Sequence, residues 1–353
     1  MRSHSRFCLL SASLLPLFTA GALTAQVQRI VPAEYANGWA GNNGSGAGIS
    51  STKSIAQNVY RTPVAANGLI FGVAWRRHAN TTDFNSSTRD VEVTLCSTTA
   101  DRGTLSSTFA SNLNASATVV VPRQVINLPA VPANAGPDGG WFGFPLTTPW
   151  AFTGPNLLVE TKTFAASYVI DYRTDRCFES TSGEALTFGS TNCGSATINS
   201  TSTGGTYIGG SNVAISLAAA PSNVPAILLL GSNMRTFAGL PLPIDLAPIG
   251  VPGCLLYVEP LANLTVGTDA TGTASITIPM PLGIPGTVPL AFQWMYNDPA
   301  STAPVPVAAT NARYIQTGPR VCTNTYVYDL FSETAVTGTI QAGGPIMRLS
   351  AVP

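Results

Sequence analysis

The sequence predicts an all-β protein of two β-sandwich domains in tandem, of jelly-roll or immunoglobulin-like type, with essentially no helix after a signal peptide. Three observations predict this fold class: many short apolar segments, abundant turn residues (33 glycines and 27 prolines), and no long segment with helical periodicity. Residues 90–96 alternate cleanly, which places Val91, Val93 and Leu95 on one face of a strand. Many short strands separated by Gly and Pro are typical of sandwiches and barrels.

The strand pattern recurs along the whole chain, and the domain organisation follows from it. A chain of 353 residues is longer than one hydrophobic core usually supports, so two domains are expected. Segment 179–205 is poor in large apolar residues, which predicts domains at residues 26–190 and 191–353, and the residues after Pro319 could add strands to either one. The clearest strand patterns are residues 69–75, 90–96, 117–121, 141–146, 157–163, 168–172, 213–217, 226–230, 255–258, 274–278, 290–295 and 326–330.

The first 25 residues have the pattern of a secretory signal peptide. Arg2 and Arg6 precede an apolar segment at residues 7–18, and small residues up to Ala25 provide a cleavage site before Gln26. The apolar segment is shorter than the ~20 residues that span a bilayer, so the chain is not expected to span a membrane. The sequence therefore predicts a protein that is secreted, and is extracellular or attached to the cell surface.

Charge restricts the partners that this chain is expected to have. The sequence carries 17 basic and 17 acidic residues, and charged residues make up only 10% of it, against ~25% in an average soluble protein. Nucleic-acid binding needs an excess of clustered basic residues, so no nucleic-acid partner is expected. The expected partners are extracellular polysaccharide or other surface proteins, including further copies of this chain.

Five cysteines follow the signal peptide, namely Cys96, Cys177, Cys193, Cys254 and Cys322. No CxxC pair occurs, which argues against a structural zinc site. Disulfides are the usual state of cysteine outside the cell, and an odd number leaves one thiol unpaired within the chain. Cys177 has Cys322 or Cys96 as its candidate partner, and we favour Cys322.

The second half of the sequence carries a recurring set of motifs. It begins with Cys193 and Gly194 and continues through an apolar strand, a Pro-rich segment ending in Pro-Gly-Cys254, a Thr-Gly-Thr strand and an aromatic strand closing at Pro299. This arrangement resembles a module common in secreted and surface proteins of planctomycete-type bacteria, over residues 193–318. The resemblance implies location and fold, and no activity; together with the spacing it implies a Cys193–Cys254 disulfide. The tail from Cys322 onward departs from the pattern.

The sequence contains no motif of a hydrolase. His78 is the single histidine after the signal peptide, and a Ser-His-Asp or Cys-His site would need it as the base. No GxSxG elbow is present. His78 is therefore interpreted as an exposed residue at a strand end, and the protein is predicted not to be an enzyme.

Paired carboxylates are the remaining route to catalysis, because a glycosidase needs only two Asp or Glu residues at the right separation. The candidates are Glu160 on one predicted strand with Asp171 on another, or the cluster of Asp171, Asp175 and Glu179. Arginines are interleaved in this cluster, which favours ion pairs at a strand end over an acid and base pair.

No cofactor is predicted, and calcium is the metal that best fits the loops. Residues 80–90 form the most suitable loop, with Asp83 and Asp90 as candidate ligands. The loop lacks the ligand spacing and the central glycine of an EF-hand, so a polar surface loop is the preferred interpretation.

Aromatic residues of the first predicted domain are candidate glycan ligands, since their rings can stack on sugar faces. Packing in a core is the more common role of such residues. The function predicted is a secreted, non-catalytic structural or adhesive protein of the cell surface or extracellular matrix; the alternatives are a carbohydrate-binding protein and a glycosidase with paired carboxylates. The candidate glycan-binding residues are Trp75, Arg77, Trp141, Trp150 and Tyr168.

Overall fold

The structure is a computed structural model that describes residues 26–40, 42–44, 49, 53–61, 63–64, 68–78, 83–132, 135–166, 173–190, 193–286 and 288–352. The predicted signal peptide and the predicted strand 168–172 lie outside these residues. In chain order the strands are β1 (Val27–Val31), β2 (Asn42–Gly44), β3 (Ser54–Arg61), β4 (Leu69–Arg76), β5 (Ser87–Thr98), β6 (Thr118–Leu128), β7 (Trp141–Ala151), β8 (Asn156–Ala166), β9 (Thr174–Phe178), β10 (Glu184–Phe188), β11 (Thr197–Ser202), β12 (Asn212–Ala218), β13 (Pro225–Gly231), β14 (Thr236–Phe237), β15 (Leu240–Pro241), β16 (Ile244–Asp245), β17 (Leu255–Leu256), β18 (Ala262–Gly267), β19 (Ala274–Pro279), β20 (Pro289–Asn297), β21 (Val307–Gln316), β22 (Thr325–Asp329), β23 (Thr339–Pro345) and β24 (Met347–Val352).

Helical structure in the described residues is limited to single 3₁₀ turns. They span Ala33–Tyr35, Phe109–Asn112, Thr203–Gly205 and Ala247–Ile249. The all-β fold class is therefore confirmed, and its cause is the alternation of apolar and polar residues with Gly and Pro in the connections.

A first sandwich is formed by a four-stranded sheet, in the order β1-β24-β4-β7, and an eight-stranded sheet, in the order β2-β9-β23-β22-β3-β8-β5-β6. One apolar core contains residues from both sheets. Trp75 and Leu349 come from the four-stranded sheet, and Val93 and Val159 from the eight-stranded one. The two sheets therefore pack face to face, as in a β-sandwich.

A second sandwich is formed by a five-stranded sheet, in the order β10-β21-β20-β13-β18, and a three-stranded sheet, in the order β11-β12-β19. Leu228 and Trp294 of the larger sheet share a core with Ile215 and Leu217 of the smaller one. The opposite face of the larger sheet is covered by the Pro-rich segment around Leu242. The five-stranded sheet is thus buried on both faces.

The strand pairing divides the chain differently from the predicted border at residue 190. Strand β22 pairs with β3, β23 pairs with β9, and β24 lies between β1 and β4. The chain therefore leaves the first sandwich after β9, forms the second, and returns to complete both sheets of the first. Residues after Pro319 supply these strands, which is one of the two placements left open by the sequence. The physical reason is that β3, β4 and β9 would each have an unpaired edge without the strands of this tail.

Both predicted disulfides are present. Cys177 pairs with Cys322 at a Cα separation of 6.0 Å, and Cys193 pairs with Cys254 at 4.8 Å. The first joins the strand that precedes the second sandwich to the segment that follows it. Cys96 is the unpaired cysteine, and it is fully buried.

The two sandwiches contact each other through a small apolar cluster. Trp39 from the first packs with Phe188, Met234 and Tyr314 of the second, and the Tyr314 hydroxyl donates to the Trp39 carbonyl oxygen. The contact buries these aromatic side chains almost completely.

Candidate glycan-binding groove

The outer face of the four-stranded sheet, opposite the core of the first sandwich, carries a groove of about 400 Å³. Strand register builds its floor from small residues. Ala74 of β4 stands opposite Arg348 of β24 and Gly143 of β7, and Gly72 stands opposite Ser350. The walls are formed by larger residues that surround this floor, namely Gln26, Phe71, Trp141, Pro145, Arg348 and Ser350.

The flatness of the floor depends on glycine at position 143. A Cβ atom added there would collide with the carbonyl oxygen of Val73 and with Ala74. Only glycine lets β7 approach β4 this closely, and it leaves the surface beside Trp141 without a side chain.

Trp141 forms one end of the groove and is only partly buried. The guanidinium carbons of Arg348 and Arg76 lie 4.8 Å and 5.5 Å from the centroid of its ring. Its indole Nε1 donates to the Asp138 carboxylate over 3.4 Å. Cation–π contact and this hydrogen bond both restrict the ring to one orientation.

Arg76 packs against the ring of Trp141, and a buried network of hydrogen bonds and an ion pair fixes Arg76 itself. Its Nε donates to Asp175 Oδ2 over 2.8 Å, its Nη2 lies 2.7 Å from the same oxygen as an ion pair, and its Nη1 donates to the Tyr35 carbonyl oxygen over 2.8 Å. The backbone N–H of Ala40 donates to both Asp175 oxygens. Neither charged side chain is exposed to solvent, so the pair stabilises only because each charge meets its partner and several hydrogen bonds.

Arg348 differs from Arg76 in having no hydrogen-bonded carboxylate among the described residues. Among the residues that the structure describes, no hydrogen bond or ion pair to its side chain is found, and its contact is the ring of Trp141. Burial lowers the pKa of this guanidinium, an effect opposed by Asp138 and reinforced by Arg235. An arginine remains charged even so, and its N–H donors are available at the groove.

The other end of the groove is polar and uncharged. The Gln28 amide donates to the Ser350 hydroxyl over 2.9 Å, and that hydroxyl lies 3.1 Å from the amide oxygen. Ser350 is two residues from Arg348 on the same face of β24, a distance of about 7 Å along a strand. The groove thus presents the Ser350 hydroxyl, with the Gln28 amide bonded beside it, at one end, and an aromatic ring with a cation at the other.

Three further predicted glycan-binding residues, Trp75, Trp150 and Arg77, are buried and do not line the groove. Trp75 is fully buried and contacts Phe142, with ring centroids 6.4 Å apart. Trp150 is 7% exposed, within the same core. Arg77 is also buried, with its guanidinium carbon 4.3 Å from the centroid of Phe84. Trp75 and Trp150 thus have the core-packing role that is the more common one for aromatic residues, because their strand positions face inward.

Tyr168 and Asp171 lie outside the described residues, so their predicted roles stay predictions. The other candidate carboxylates all make structural contacts. Glu160 accepts from the Gln57 amide over 2.7 Å and lies 3.3 Å from the Lys162 ammonium, whereas Glu179 pairs with Arg102.

Glu160 and Asp175 are also far apart. Glu160 lies on β8 and Asp175 on β9, and three strands, β23, β22 and β3, separate these two in the sheet. Four inter-strand spacings amount to ~19 Å across the sheet. A glycosidase pair needs about 5–10 Å, so these two residues do not form one.

His78 was predicted to be exposed, and that prediction is wrong. It does follow the end of β4, but it is only 8% exposed. Burial lowers its pKa to about 4, with further lowering by the charges of Arg77 and Arg173. Its backbone N–H donates to the Arg173 carbonyl oxygen, which draws the residue inward.

The candidate calcium ligands are only partly described, because residues 79–82 of their loop fall outside the structure's description. Asp90 lies on β5 and pairs with Arg123 over 2.8 Å, while Asp83 is exposed. Within the described ranges, no group of three or more His, Cys, Asp or Glu side chains is arranged to hold a metal ion.

The groove residues missed by the sequence analysis come mainly from the C-terminal tail. Arg348 and Ser350 alternate with Met347, Leu349 and Ala351, whose side chains are buried. This alternation is the signal of a strand with one polar face, and it could have located β24. It could not have shown that β24 pairs with β4, because pairing between distant segments is not encoded in local pattern.

Comparison with known proteins adds no family. No protein-family model matches the sequence, and no curated protein is similar to it. Among solved structures, the chain has 9% identity to a chain in a structure described as the cryo-EM structure of T=1 Penaeus vannamei nodavirus, covering 76% of this chain and 84% of that one with a TM-score of 0.13. A TM-score this low supports no conclusion about fold or function. In the part of the chain that the structure describes, no helix is long and apolar enough to cross a membrane.

Proposed function

We propose that this chain is a secreted, non-catalytic protein with a structural or adhesive role at the cell surface or in the extracellular matrix. The observation that carries the proposal is the way the chain closes on itself. Strands from the tail complete both sheets of the first sandwich. The Cys177–Cys322 disulfide links the strand that leaves this sandwich to the segment that returns to it. A covalently closed β fold suits a protein that must persist outside the cell, where disulfides are stable.

Composition supports the same proposal. The chain has few charged residues, and the candidate catalytic carboxylates that the structure describes are engaged in ion pairs or hydrogen bonds. The predicted signal peptide at residues 1–25 and the resemblance to a surface module over residues 193–318 add to it from the sequence.

Fractionation tests this proposal directly. The chain is expressed in its source with a C-terminal epitope tag, and the cells, the washed matrix and the medium are assayed separately. We expect most of the protein with cells or matrix, and a control lacking residues 1–25 should remain inside the cell. Protein found mainly free in the medium would contradict the structural role.

Carbohydrate binding is the second candidate function, and the groove on the four-stranded sheet favours it. Trp141 supplies an oriented aromatic ring, and the Gln28 and Ser350 pair supplies groups that bond sugar hydroxyls. The flat floor at Gly72 and Gly143 gives a ring room to lie on the sheet.

Binding to immobilised polysaccharides tests this second candidate. Trp141→Ala should reduce binding at least tenfold, because the ring forms one end of the groove. Phe331→Ala is the matched control, since Phe331 is 90% exposed in a loop outside the groove. Binding that survives Trp141→Ala, or is lost equally in Phe331→Ala, would remove the groove from consideration.

A further inference from the structure

We infer that the groove on the four-stranded sheet binds an acidic saccharide, whose carboxylate pairs with the Arg348 guanidinium while the sugar ring lies over the small-residue floor beside Trp141. This inference rests on the second candidate function and names its ligand class.

Most of the charged side chains around Trp141 are paired with one another. Arg76 is neutralised by Asp175, and Arg235 donates to Asp138 over 2.7 Å. Asp138 is therefore already engaged with both Arg235 and the Trp141 indole. Arg348 is left as the one cation of this set without a bonded carboxylate among the described residues.

Arg348 is the single charged residue among the residues described as lining the groove. Its stack on Trp141 holds the planar guanidinium in place while leaving its N–H donors unpaired. A planar guanidinium with free donors matches a carboxylate, which it binds through two parallel hydrogen bonds.

The length of the groove and its polar end favour a saccharide over a simple anion. A simple anion would need only the guanidinium, but the groove extends about 7 Å along β24 to the Ser350 hydroxyl and the Gln28 amide. Between the two ends lie Gly72 and Ala74, which leave space above the sheet. A sugar ring bearing one carboxylate and several hydroxyls fits this order of groups.

Polygalacturonate and its methyl ester provide the matched pair of probes, since they share a backbone and differ in charge. The full chain from residue 26 is tested by calorimetry against both polymers, with dextran sulfate and dextran as a second pair. We expect polygalacturonate to bind at least tenfold more tightly than its methyl ester, with an affinity that falls as salt is raised.

The variants locate this preference on Arg348. Arg348→Gln should abolish the tenfold preference, and Arg348→Lys should restore part of it, since it keeps the charge and loses the planar fork. Arg123→Gln is the matched control: the Arg123 guanidinium carbon also lies over an aromatic ring, 3.9 Å from the centroid of Phe164, but on the other sheet of the sandwich. Circular dichroism and a denaturation curve for each variant establish that it is folded.

The outcomes separate the ligand class from the underlying function. Equal binding of the acid and the methyl ester, both lost in Trp141→Ala, would overturn the acidic ligand and leave carbohydrate binding in place. Binding of dextran sulfate without polygalacturonate would overturn the carboxylate assignment. An acid preference that persists in Arg348→Gln would place the charge recognition elsewhere. Binding of none of the four polymers would overturn both this inference and the carbohydrate-binding function.

Discussion

The two sandwiches of this protein differ in what they bury. The first buries charged side chains, among them Arg76, Arg89 and Asp175, in addition to its apolar core, whereas the buried polar side chains on the described strands of the second, such as Gln293, are uncharged. The difference shows how the interior of each is specified. Buried ion pairs add to apolar packing in the first, whereas apolar packing and hydrogen bonds of uncharged side chains specify the second.

The same difference explains where the groove lies. The buried Arg76–Asp175 pair positions Trp141 on the outer face of the four-stranded sheet. In the second sandwich both faces of the five-stranded sheet are covered by apolar contacts. A sheet face that carries an oriented aromatic ring and a cation is therefore a property of the first sandwich.

Removal of a buried charge should have the largest effect on the first sandwich. Asp175→Ala leaves the Arg76 guanidinium buried without its partner, which is expected to cost about 3–5 kcal/mol in free energy of unfolding. Asp90→Ala removes one partner of an exposed pair, Asp90–Arg123, and should cost under about 1 kcal/mol. Urea denaturation measures both. Equal losses in the two variants would mean that the buried pair does not specify this sandwich.

The two disulfides should stabilise the protein to similar extents, although they act on different regions. Each closes a long loop, of 61 residues for Cys193–Cys254 and 145 for Cys177–Cys322. Replacing both cysteines of either pair by serine should lower the unfolding free energy by about 2–4 kcal/mol. Loss of the Cys177–Cys322 disulfide, and not loss of the other one, should loosen the tail strands β22–β24. Hydrogen exchange of the backbone amides in these strands measures this effect. Unchanged hydrogen-exchange protection in these strands would contradict the role of this disulfide where the chain returns to the first sandwich.

Acid should destabilise the first sandwich through His78, whereas the second has no histidine between residues 184 and 319. The pKa of His78 is about 4 in the folded protein and about 6.5 in the unfolded chain. Above pH 6.5 both states are neutral and the residue has no effect. As the pH falls from 6.5 to 4, only the unfolded chain takes up the proton, so stability is lost by up to about 3 kcal/mol.

Comparing His78→Gln with the unaltered protein isolates this effect from other titrating groups. The difference in unfolding free energy between pH 7 and pH 4 should be smaller in the variant. A pH dependence identical in both proteins would show that His78 is accessible to protons in the folded state.

The smallest expected effect is a gain in the second sandwich. Ala238 has a φ of 51° and precedes Gly239, with a φ of 82°, in the tight turn between β14 and β15. Positive φ is unfavourable for alanine, so Ala238→Gly should raise stability by about 1 kcal/mol. Ala262→Gly in the exposed strand β18 is the control and should lower stability by about 0.5–1 kcal/mol. A thermal melt that moves both variants in the same direction would contradict the turn assignment.

Local patterns predicted most of the individual strands but few of the relations between them. Residues 90–96 and 274–278 alternate clearly between apolar and polar side chains, and both segments lie in strands whose apolar residues are the more buried ones. Prediction failed where a residue's surroundings come from distant segments. His78 is buried and donates its backbone N–H to the distant Arg173, and Trp75 and Trp150 face the core rather than a groove. The inward or outward direction of a strand depends on which sheet covers it.

The fold class and the aromatic candidate at Trp141 follow from the sequence alone, because strand periodicity and residue type are local properties. The sequence favoured Cys322 over Cys96 as the partner of Cys177, and the resemblance together with the spacing implied Cys193–Cys254. Only the tertiary structure decided that the tail completes the first sandwich and that Arg348 stands beside Trp141. Residues 141 and 348 are brought together by the β24–β4–β7 pairing. Such pairing depends on hydrogen-bond registers between segments far apart in the chain, which no local pattern encodes.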